Sequence, residues 1–457
     1  MRATEVVSAT EVTLEQILDR REARCARQYE LLKEWRLPLV CFTMNIPGPV
    51  KCGALISMSF EAGCEALSAA AEAAHITAVY AEKLACPTGY EAFYVFDGDA
   101  GRIKELCVAI EERHPLGRVF DLDVFDADGE KPDRESHGGT ERGCVVCGAP
   151  GKGCSSRRLH TADQVYRAIS ERMRSYFREK CQSEVSSLCC RAIMYEVAAA
   201  PKPGLVTRHD SGSHSDMDIF TFIDSCASLL RYWRDAVRVG QETAGEPPEQ
   251  SFRQLRPYGI LAEREMFSAT GGVNTHKGAV FLLGTLCAAI GRLSGDGVLC
   301  RDPELIAEEC AKMSAQIIRE ELETIKAGPA RSKGESIYKS YGLSGVRGEV
   351  AGGLRSVLEW GLPALREAVA SGKGLEEAGS RALLALISNV ADTNLISRGG
   401  VELQRAAAER TRAIRAAGFP AGELADAGEW FVKNNLSPGG CADLLAASYF
   451  MLFLSVE

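Results

Sequence analysis

Residues 201–218 read PKPGLVTRHDSGSHSDMD, and the reading of this stretch decides the fold of everything after it. It follows a helical pattern over 185–200, opens with two prolines around a lysine, and packs two of the chain's seven histidines and three aspartates into ten residues. Proline breaks a helix, and desolvating His209, Asp210, His214, Asp216 and Asp218 without partners would cost several kcal/mol per charge. The stretch is therefore a polar hinge, solvated or committed to a metal, a polyphosphate or a transferred proton.

Working outward toward the C-terminus, helical periodicity recurs at 216–240, 276–293, 303–326, 347–359, 376–390, 401–417 and 439–454, with glycine-rich polar hinges between. No strand pattern and no repeat occur beyond residue 180, which predicts an all-α helical domain over 181–457. The helix starts carry unusual chemistry: Thr270-Gly271-Gly272-Val273-Asn274-Thr275-His276-Lys277-Gly278, Gly345-Val346-Arg347-Gly348-Glu349, Asp392-Thr393-Asn394 with Arg398-Gly399-Gly400, and Asn435-Leu436-Ser437-Pro438-Gly439-Gly440 with Asp443. One such hinge is ordinary capping. Several together, each supplying free N–H groups, the positive end of a dipole and a polar side chain, suggest a pocket for a polyphosphate.

Toward the N-terminus the texture alternates. Residues 10–36 are helical, 37–44 (LPLVCFTM) are β-like and run into Asn45-Ile46-Pro47-Gly48-Pro49-Val50-Lys51, 57–75 are helical, 76–84 and 91–96 are strands, 99–113 is an amphipathic helix, and 118–125 (RVFDLDVF) is a strand. With a charged helix at 161–180 closing the region, this predicts an N-terminal α/β sandwich with one sheet over 1–180. In RVFDLDVF, Asp121 and Asp123 share one face and Phe120, Leu122 and Val124 the other. Two carboxylates so placed suit divalent metals in nucleotidyl transfer; an outward polar face of a half-buried strand is the competing reading. Farther on, Cys144-x2-Cys147-x6-Cys154-x5-His160 has the donors for a tetrahedral Zn2+, with a loose spacing. Arg142, Arg157 and Arg158 beside it suit phosphates.

Composition bounds the function. The chain has 457 residues, enough for more than one domain, and a formal net charge of -9, so a nucleic-acid surface is not its main business and no nucleic-acid partner is expected. Seventeen cysteines, an odd number without a framework, fit reduced thiols, and inert thiols are the alternative to zinc at Cys144, Cys147, Cys154 and His160. The acidic residues near the start argue against a leader, and the apolar run 279–290 is short for a membrane span, so a cytoplasmic protein with no membrane partner is expected.

In order along residues 190–450, EVAAAPKPGLVTRHDSGSHSDMD, TGGVNTHKGAVFLLGTLCAAIGRL, GLSGVRGEVAGG, DTNLISRGG and NLSPGGCADLLA resemble the triphosphoribosyl-dephospho-CoA synthase family of citrate lyase biosynthesis. Upstream, LPLVCFTMNIPGPVK, IEERHPLGR, FDLDVFDADG and CVVCGAPGKGC followed by SRRLH resemble apo-citrate lyase phosphoribosyl-dephospho-CoA transferase, the holo-acyl-carrier-protein synthase. The resemblance implies a fusion with two consecutive reactions. The C-terminal domain would join the triphosphoribosyl part of ATP to the 2'-hydroxyl of 3'-dephospho-CoA and release adenine. The N-terminal domain would transfer the product to a serine of the citrate lyase acyl carrier protein and release pyrophosphate.

The residue roles within these reactions rest on chemistry. Cleaving an N-glycosidic bond needs carboxylates, an acid and cations. Lys202, Lys277, Arg347 and Arg398 are expected on phosphates, with Asn274, Asn394, Gly439 and Gly440 also lining the substrate. Asp216, Asp218 and Asp392 are expected on Mg2+ or the cationic ribose, Glu349 as a further catalytic carboxylate, and His214 or His276 as proton carriers. In the N-terminal domain Asp121 and Asp123 would hold Mg2+, and Asn45, Lys51, Arg118 and Arg158 would contact the triphosphate. The carrier would dock near Arg20, Arg21 and Arg24, for which a solvated helix face is the competing reading. Two other functions fit the letters: an ADP-ribosyl-hydrolase-like glycosidase using water as acceptor, and a non-catalytic nucleotide-binding scaffold with a zinc-knuckle module.

Overall fold

The computed structural model describes residues 8–295 and 297–456. The first seven residues, part of the stretch read above for a leader, lie outside the described residues, as do Asp296 and Glu457. The chain divides into two compact units, Met1–Phe177 and Arg178–Glu457.

In the first unit, α1 (Leu14–Trp35) starts at a capping box between Thr13 and Gln16 and stops at Arg36, whose φ of 54° is left-handed. Then come β1 (Leu39–Met44), α2 (Ala54–Ala73), β2 (Thr77–Cys86), β3 (Gly89–Asp97), α3 (Ala100–Arg113), β4 (Phe120–Phe125), the short α4 (Gly151–Ser156) and the start of α5 (Ala162–Ala198). The strands form one sheet in the order β2-β3-β1-β4 with every pair antiparallel.

Period-two alternation gives the sheet two apolar faces. Val40, Phe42, Tyr94, Phe96, Phe120, Leu122 and Val124 pack against α2, α3 and the first part of α5. Phe42 stacks on Phe60 at 5.1 Å and meets Phe120 edge-on at 5.3 Å. Leu39, Cys41, Phe93 and Val95 face the other way and are covered by Leu31, Leu32 and Trp35 of α1. The strand and helix pattern of the sequence thus holds in this unit. The reading of α1's basic side as solvated does not hold at two positions: Arg20 and Arg24 both fold onto Glu91 of β3, at 2.5 and 3.2 Å, because that carboxylate is only 5% exposed and needs a partner.

Among the described residues the second unit is helical: the remainder of α5, then α6 (Ile219–Glu242), α7 (Pro248–Ala269), α8 (Lys277–Leu293), α9 (Pro303–Ala327), α10 (Lys333–Tyr341), α11 (Gly345–Ala351), α12 (Leu362–Ala370), α13 (Leu375–Asn389), α14 (Thr393–Ala416), α15 (Ala421–Lys433) and α16 (Gly439–Val456). α8 is apolar almost all round, and accordingly it is the central helix, touching α6, α7, α9, α11 and α16. α16 is long and apolar enough to cross a membrane, but two thirds of it is buried inside this unit, which accounts for its composition.

Several expectations need correction. The helices read at 161–180 and 185–200 are one helix, α5. α7 has no counterpart in the sequence reading, because Pro247, Pro248 and Pro257 look like breaks. The first two belong to its start, where proline is favoured, and the third is accommodated inside it. The helix read at 347–359 breaks after α11, where Gly353 and Leu354 have φ of 76° and 55°, and resumes in a π-helical turn over Val357–Gly361. α10, α12 and α15 are further additions.

Candidate functional site

Four of the five polar hinges of the second unit meet around one cavity of about 360 Å³; the Gly345–Glu349 hinge stays outside it. Its wall includes Glu196, Lys202, His214, Asp216, Asn274, His276, Lys277, Asn394, Arg398, Ser437, Gly439 and Asp443, drawn from α5, the 201–218 hinge and the starts of α8, α14 and α16. Two close approaches at glycines bring its walls together. Gly204 has φ +73° and a Cβ there would lie 2.2 Å from the Leu436 carbonyl oxygen, so the 201–218 hinge lies directly on the hinge before α16. A Cβ on Gly278 would lie 1.9 Å from Asp443 Oδ2, so the start of α8 and α16 touch through that carboxyl. A larger cavity of about 730 Å³ lies along α15 and takes His209 and Asp210. It lacks the converging polar groups of α8, α14 and α16, and the smaller cavity is the candidate site.

Buried charge dominates the site. Lys202 donates to Glu196 at 2.6 Å, with side chains 1% and 6% exposed. Burial raises the Glu196 carboxyl and lowers the Lys202 ammonium, and their contact works the other way. Asp443 faces the cavity with its carboxyl pushed well above the usual range by desolvation, then by Glu196 and Asp392.

Both candidate histidines are neutral at neutral pH. His214 donates or accepts at Nε2 with Ser437 Oγ at 2.9 Å, and its Nδ1 lies 3.4 Å from Arg398 Nη2, which can only donate. The neutral proton therefore belongs on Nε2. Burial and then Arg398 lower its pKa, against Asp216. His276 is more enclosed. Thr275 Oγ1 donates to Ser225 Oγ at 2.7 Å, which commits the Ser225 hydroxyl proton to His276 Nδ1 at 2.6 Å. The His276 proton then lies on Nε2, a buried atom with no partner among the described residues. Desolvation and Lys202 lower this imidazole to about 3. An orphan buried donor in a cavity wall calls for a ligand acceptor.

Other residues singled out in the sequence lie elsewhere. Asp218 caps α6, its Oδ1 accepting from Thr221 N at 3.0 Å, and it is outside the cavity wall. Asp392 is 2% exposed and spends both oxygens on backbone, Oδ1 on Asn394 and Leu395 N–H and Oδ2 on Cys441 N–H at 2.8 Å. It clamps the starts of α14 and α16 together, with Gly440 against it. Glu349 accepts from Ser356 Oγ at 2.5 Å. Arg347 follows Gly345, whose Cβ position lies 3.2 Å from Thr393 Oγ1 at the start of α14, but it does not line the cavity. Lys277, by contrast, is in the cavity wall, where it pairs with Glu263 of α7 at 2.9 Å. Sequence reasoning assigned no role to Glu196, Ser225, Lys333 and Ser437; Glu196, at the start of the quoted EVAAAPKPG stretch, and Ser437, inside a quoted hinge, had a local signal.

In the first unit the candidates gather at one end of the sheet. β1 and β4 run antiparallel with Thr43 opposite Asp121, and Asn45 N donates to Val119 O at 2.8 Å. This sets Asn45 and the loop to Lys51 beside Arg118 and Asp121. Lys51 donates to the Ile46 carbonyl, bracing that loop, and burial followed by Arg21 lowers its pKa. Asp121 and Asp123 share a face, with protein cations as partners: Lys131 is 2.9 Å from Asp123 and Arg142 is 3.7 Å from Asp121. Burial and then Asp123 push the Asp121 carboxyl up. Arg142 also pairs with the buried Glu111, and Arg118 donates to the Gly143 carbonyl. Arg158 is exposed and makes no described contact with these groups.

Cys144, Cys147, Cys154 and His160 converge, with one donor atom from each inside a span of 4.8 Å.

The described families match both halves. Residues 182–457 match the family of ATP:dephospho-CoA triphosphoribosyl transferase, and residues 12–176 match that of apo-citrate lyase phosphoribosyl-dephospho-CoA transferase. The chain is similar to Protein CitXG of Haemophilus influenzae, 34% identical over 97% of this chain and 96% of the relative, and to Protein CitXG of Leuconostoc mesenteroides subsp. cremoris, 32% identical over 96% and 97%. It is also similar to 2-(5''-triphosphoribosyl)-3'-dephosphocoenzyme-A synthase of Pectobacterium atrosepticum, 37% identical over 64% of this chain and 96% of the relative.

Proposed function

The chain belongs to the CitXG family, in which a CitX domain and a CitG domain share one polypeptide, and from that premise we propose that it both makes and attaches the citrate lyase prosthetic group. The second unit takes ATP and 3'-dephospho-CoA. The bond from ribose C1 to adenine N9 breaks, a bond from C1 to the 2'-oxygen of dephospho-CoA forms, and the hydroxyl proton is matched by one delivered to adenine. In the first unit the serine Oγ of the citrate lyase acyl carrier protein attacks the phosphorus that carries the ribose and gives up its proton to solvent, and pyrophosphate leaves with the bonding electrons.

The observation that carries this reading is the convergence of acids, cations and the orphan His276 Nε2 on one cavity. Lys277 and Arg398 take the triphosphate with the N–H groups of Lys277 and Gly278 at the start of α8. Asp216 faces the cationic ribose. Asp443, its carboxyl raised by its surroundings, supplies the proton to adenine, and His214, neutral, takes one from the attacking hydroxyl at Nδ1 once Arg398 turns from that nitrogen to the triphosphate. His276 donates from Nε2 to a substrate oxygen or ring nitrogen. Lys202 and Glu196 form the buried floor.

Magnesium, entering with the triphosphate, would be held by Asp216 in the second unit and by Asp121 and Asp123 in the first, and when bound it supplies charge neutralisation. At Asp121 and Asp123 it would replace Lys131 and Arg142 as partners. Asp218 lies outside the cavity wall and Asp392 spends both oxygens on backbone N–H groups, so neither fits that role. Asn45, Lys51, Arg118 and Arg142 then line the end of the sheet where the triphosphate of the intermediate is attacked.

Incubation of the pure chain with ATP, dephospho-CoA and Mg2+ should release adenine, and adding apo-carrier should release pyrophosphate and raise the carrier's mass by the prosthetic group. Asp121→Asn should stop the second step and leave the first. Binding of ATP without adenine release would overturn the reading of the second unit; loss of both steps in Asp121→Asn would overturn the division of labour.

A further inference from the structure

We propose that Cys144, Cys147, Cys154 and His160 hold a structural zinc ion that shapes the end of the sheet in the first unit. The inference does not depend on the reaction assigned above, since it rests on the donor geometry alone.

The chain makes a tight turn at Cys144-Val145-Val146-Cys147-Gly148. Gly148 N donates to Cys144 O at 2.8 Å, Cys144 N donates to Ala149 O at 2.6 Å, and Gly148 takes φ +74°. That left-handed residue directly after the second cysteine lets the chain turn back, so that both thiols point to the inside of the turn. Gly143 pairs back with Pro150, closing the turn as a knuckle. Cys154 then enters from α4, and His160 from the residues just before α5.

The distances suit a metal. Cys147 Sγ lies 3.4 Å from Cys154 Sγ, and His160 Nε2 lies 3.3 Å from Cys147 Sγ and 3.9 Å from Cys154 Sγ. A tetrahedron with metal–sulfur bonds of about 2.3 Å has edges of roughly 3.7 Å, and Cys3His is a closed structural zinc set. The spacing that fitted loosely in the sequence is therefore closed in space, because α4 carries the third ligand back over the knuckle.

The knuckle is tied to the candidate site. Gly143, next to Cys144, accepts from Arg118, and Arg142 reaches both Glu111 and Asp121. Around the knuckle the segment between β4 and α5 is short of regular structure. A metal cross-link there fixes where Arg142 sits relative to Asp121.

The test uses the full chain, purified under reductant from zinc-supplemented cells. Elemental analysis should find about one zinc per chain, and Cys147→Ser with Cys154→Ser should lower it at least tenfold. Cys25→Ser, an exposed thiol on α1, should leave it unchanged. Because the double variant could fail to fold, His160→Cys serves as the companion. It should keep zinc, and after cobalt exchange it should show the strong visible bands of a tetrahedral site with a more intense thiolate charge-transfer absorption than wild type. Wild type without zinc, zinc retained in the double variant, or a Cys147–Cys154 disulfide in place of zinc would each overturn the proposal.

Discussion

In the second unit Lys202 and Glu196 meet at 2.6 Å with side chains 1% and 6% exposed; in the first, Lys131 and Asp123 meet at 2.9 Å with 53% and 42% of theirs in water. The two pairs look alike on paper and differ physically. A pair sealed from water is held by mutual need, since neither charge can stay buried alone. An exposed pair is worth little and is readily exchanged for another partner. The cavity floored by the sealed pair therefore suits a ligand held in one geometry. The exposed pair at the end of the sheet leaves groups free to change partners, as the transfer proposed there requires.

The sharpest way to break this contrast is Lys202→Met, which strands Glu196. It should cost about 3–5 kcal/mol, read as a shift in the denaturation midpoint of the second unit, and adenine release should vanish with it. A loss below about 1 kcal/mol would mean that the pair is wet and the contrast false. The variant should recover much of its stability when combined with Glu196→Leu.

Acid titration separates the units next. The unfolded chain binds a proton at His276 near its ordinary pKa of about 6.5, while the folded imidazole resists protonation down to about 3. The unfolded state then holds more protons, so the stability present above about pH 6.5 falls as pH drops through this window. Glu196 and Asp443, both raised, act with the opposite sign. In His276→Gln the wild-type loss between pH 6.5 and pH 4 should shrink, measured by urea denaturation at both. An unchanged loss would show that the imidazole is not sealed.

Smaller effects discriminate among aspartates that read alike. Asp218→Ala removes a helix cap and should cost about 0.5–2 kcal/mol, while adenine release per folded molecule stays near wild type. Asp216→Ala should do the reverse, lowering adenine release at least tenfold with stability nearly unchanged. At the bottom of the scale, Lys131→Ala should change stability by no more than about 1 kcal/mol, since its partner Asp123 remains solvated.

Much of the architecture was legible beforehand. Alternating apolar positions in RVFDLDVF gave β4 and its face, and Cys144 to His160 carried a metal-like donor set. α7 was hidden by its prolines, and α10, α12 and α15 lay in segments left unread. Within the site, Asp218 and Asp392 resemble ligands in the sequence and are caps in space, since an aspartate before a helix serves either use. Glu196 opens the quoted EVAAAPKPG stretch but has no local feature that marks it as a partner for Lys202, and Ser225, inside α6, gave no sign at all.

By itself the sequence determined the local facts: where strands and helices run, which hinges carry polar groups, and the family resemblance of each half, because periodicity and hinge chemistry act within a few residues. Only the tertiary structure decided which polar groups share a cavity and which are spent on backbone. Glu196 and Asp443 lie more than two hundred residues apart in the chain; the burial that shifts their protonation exists only after α5, α8 and α16 have packed and excluded water.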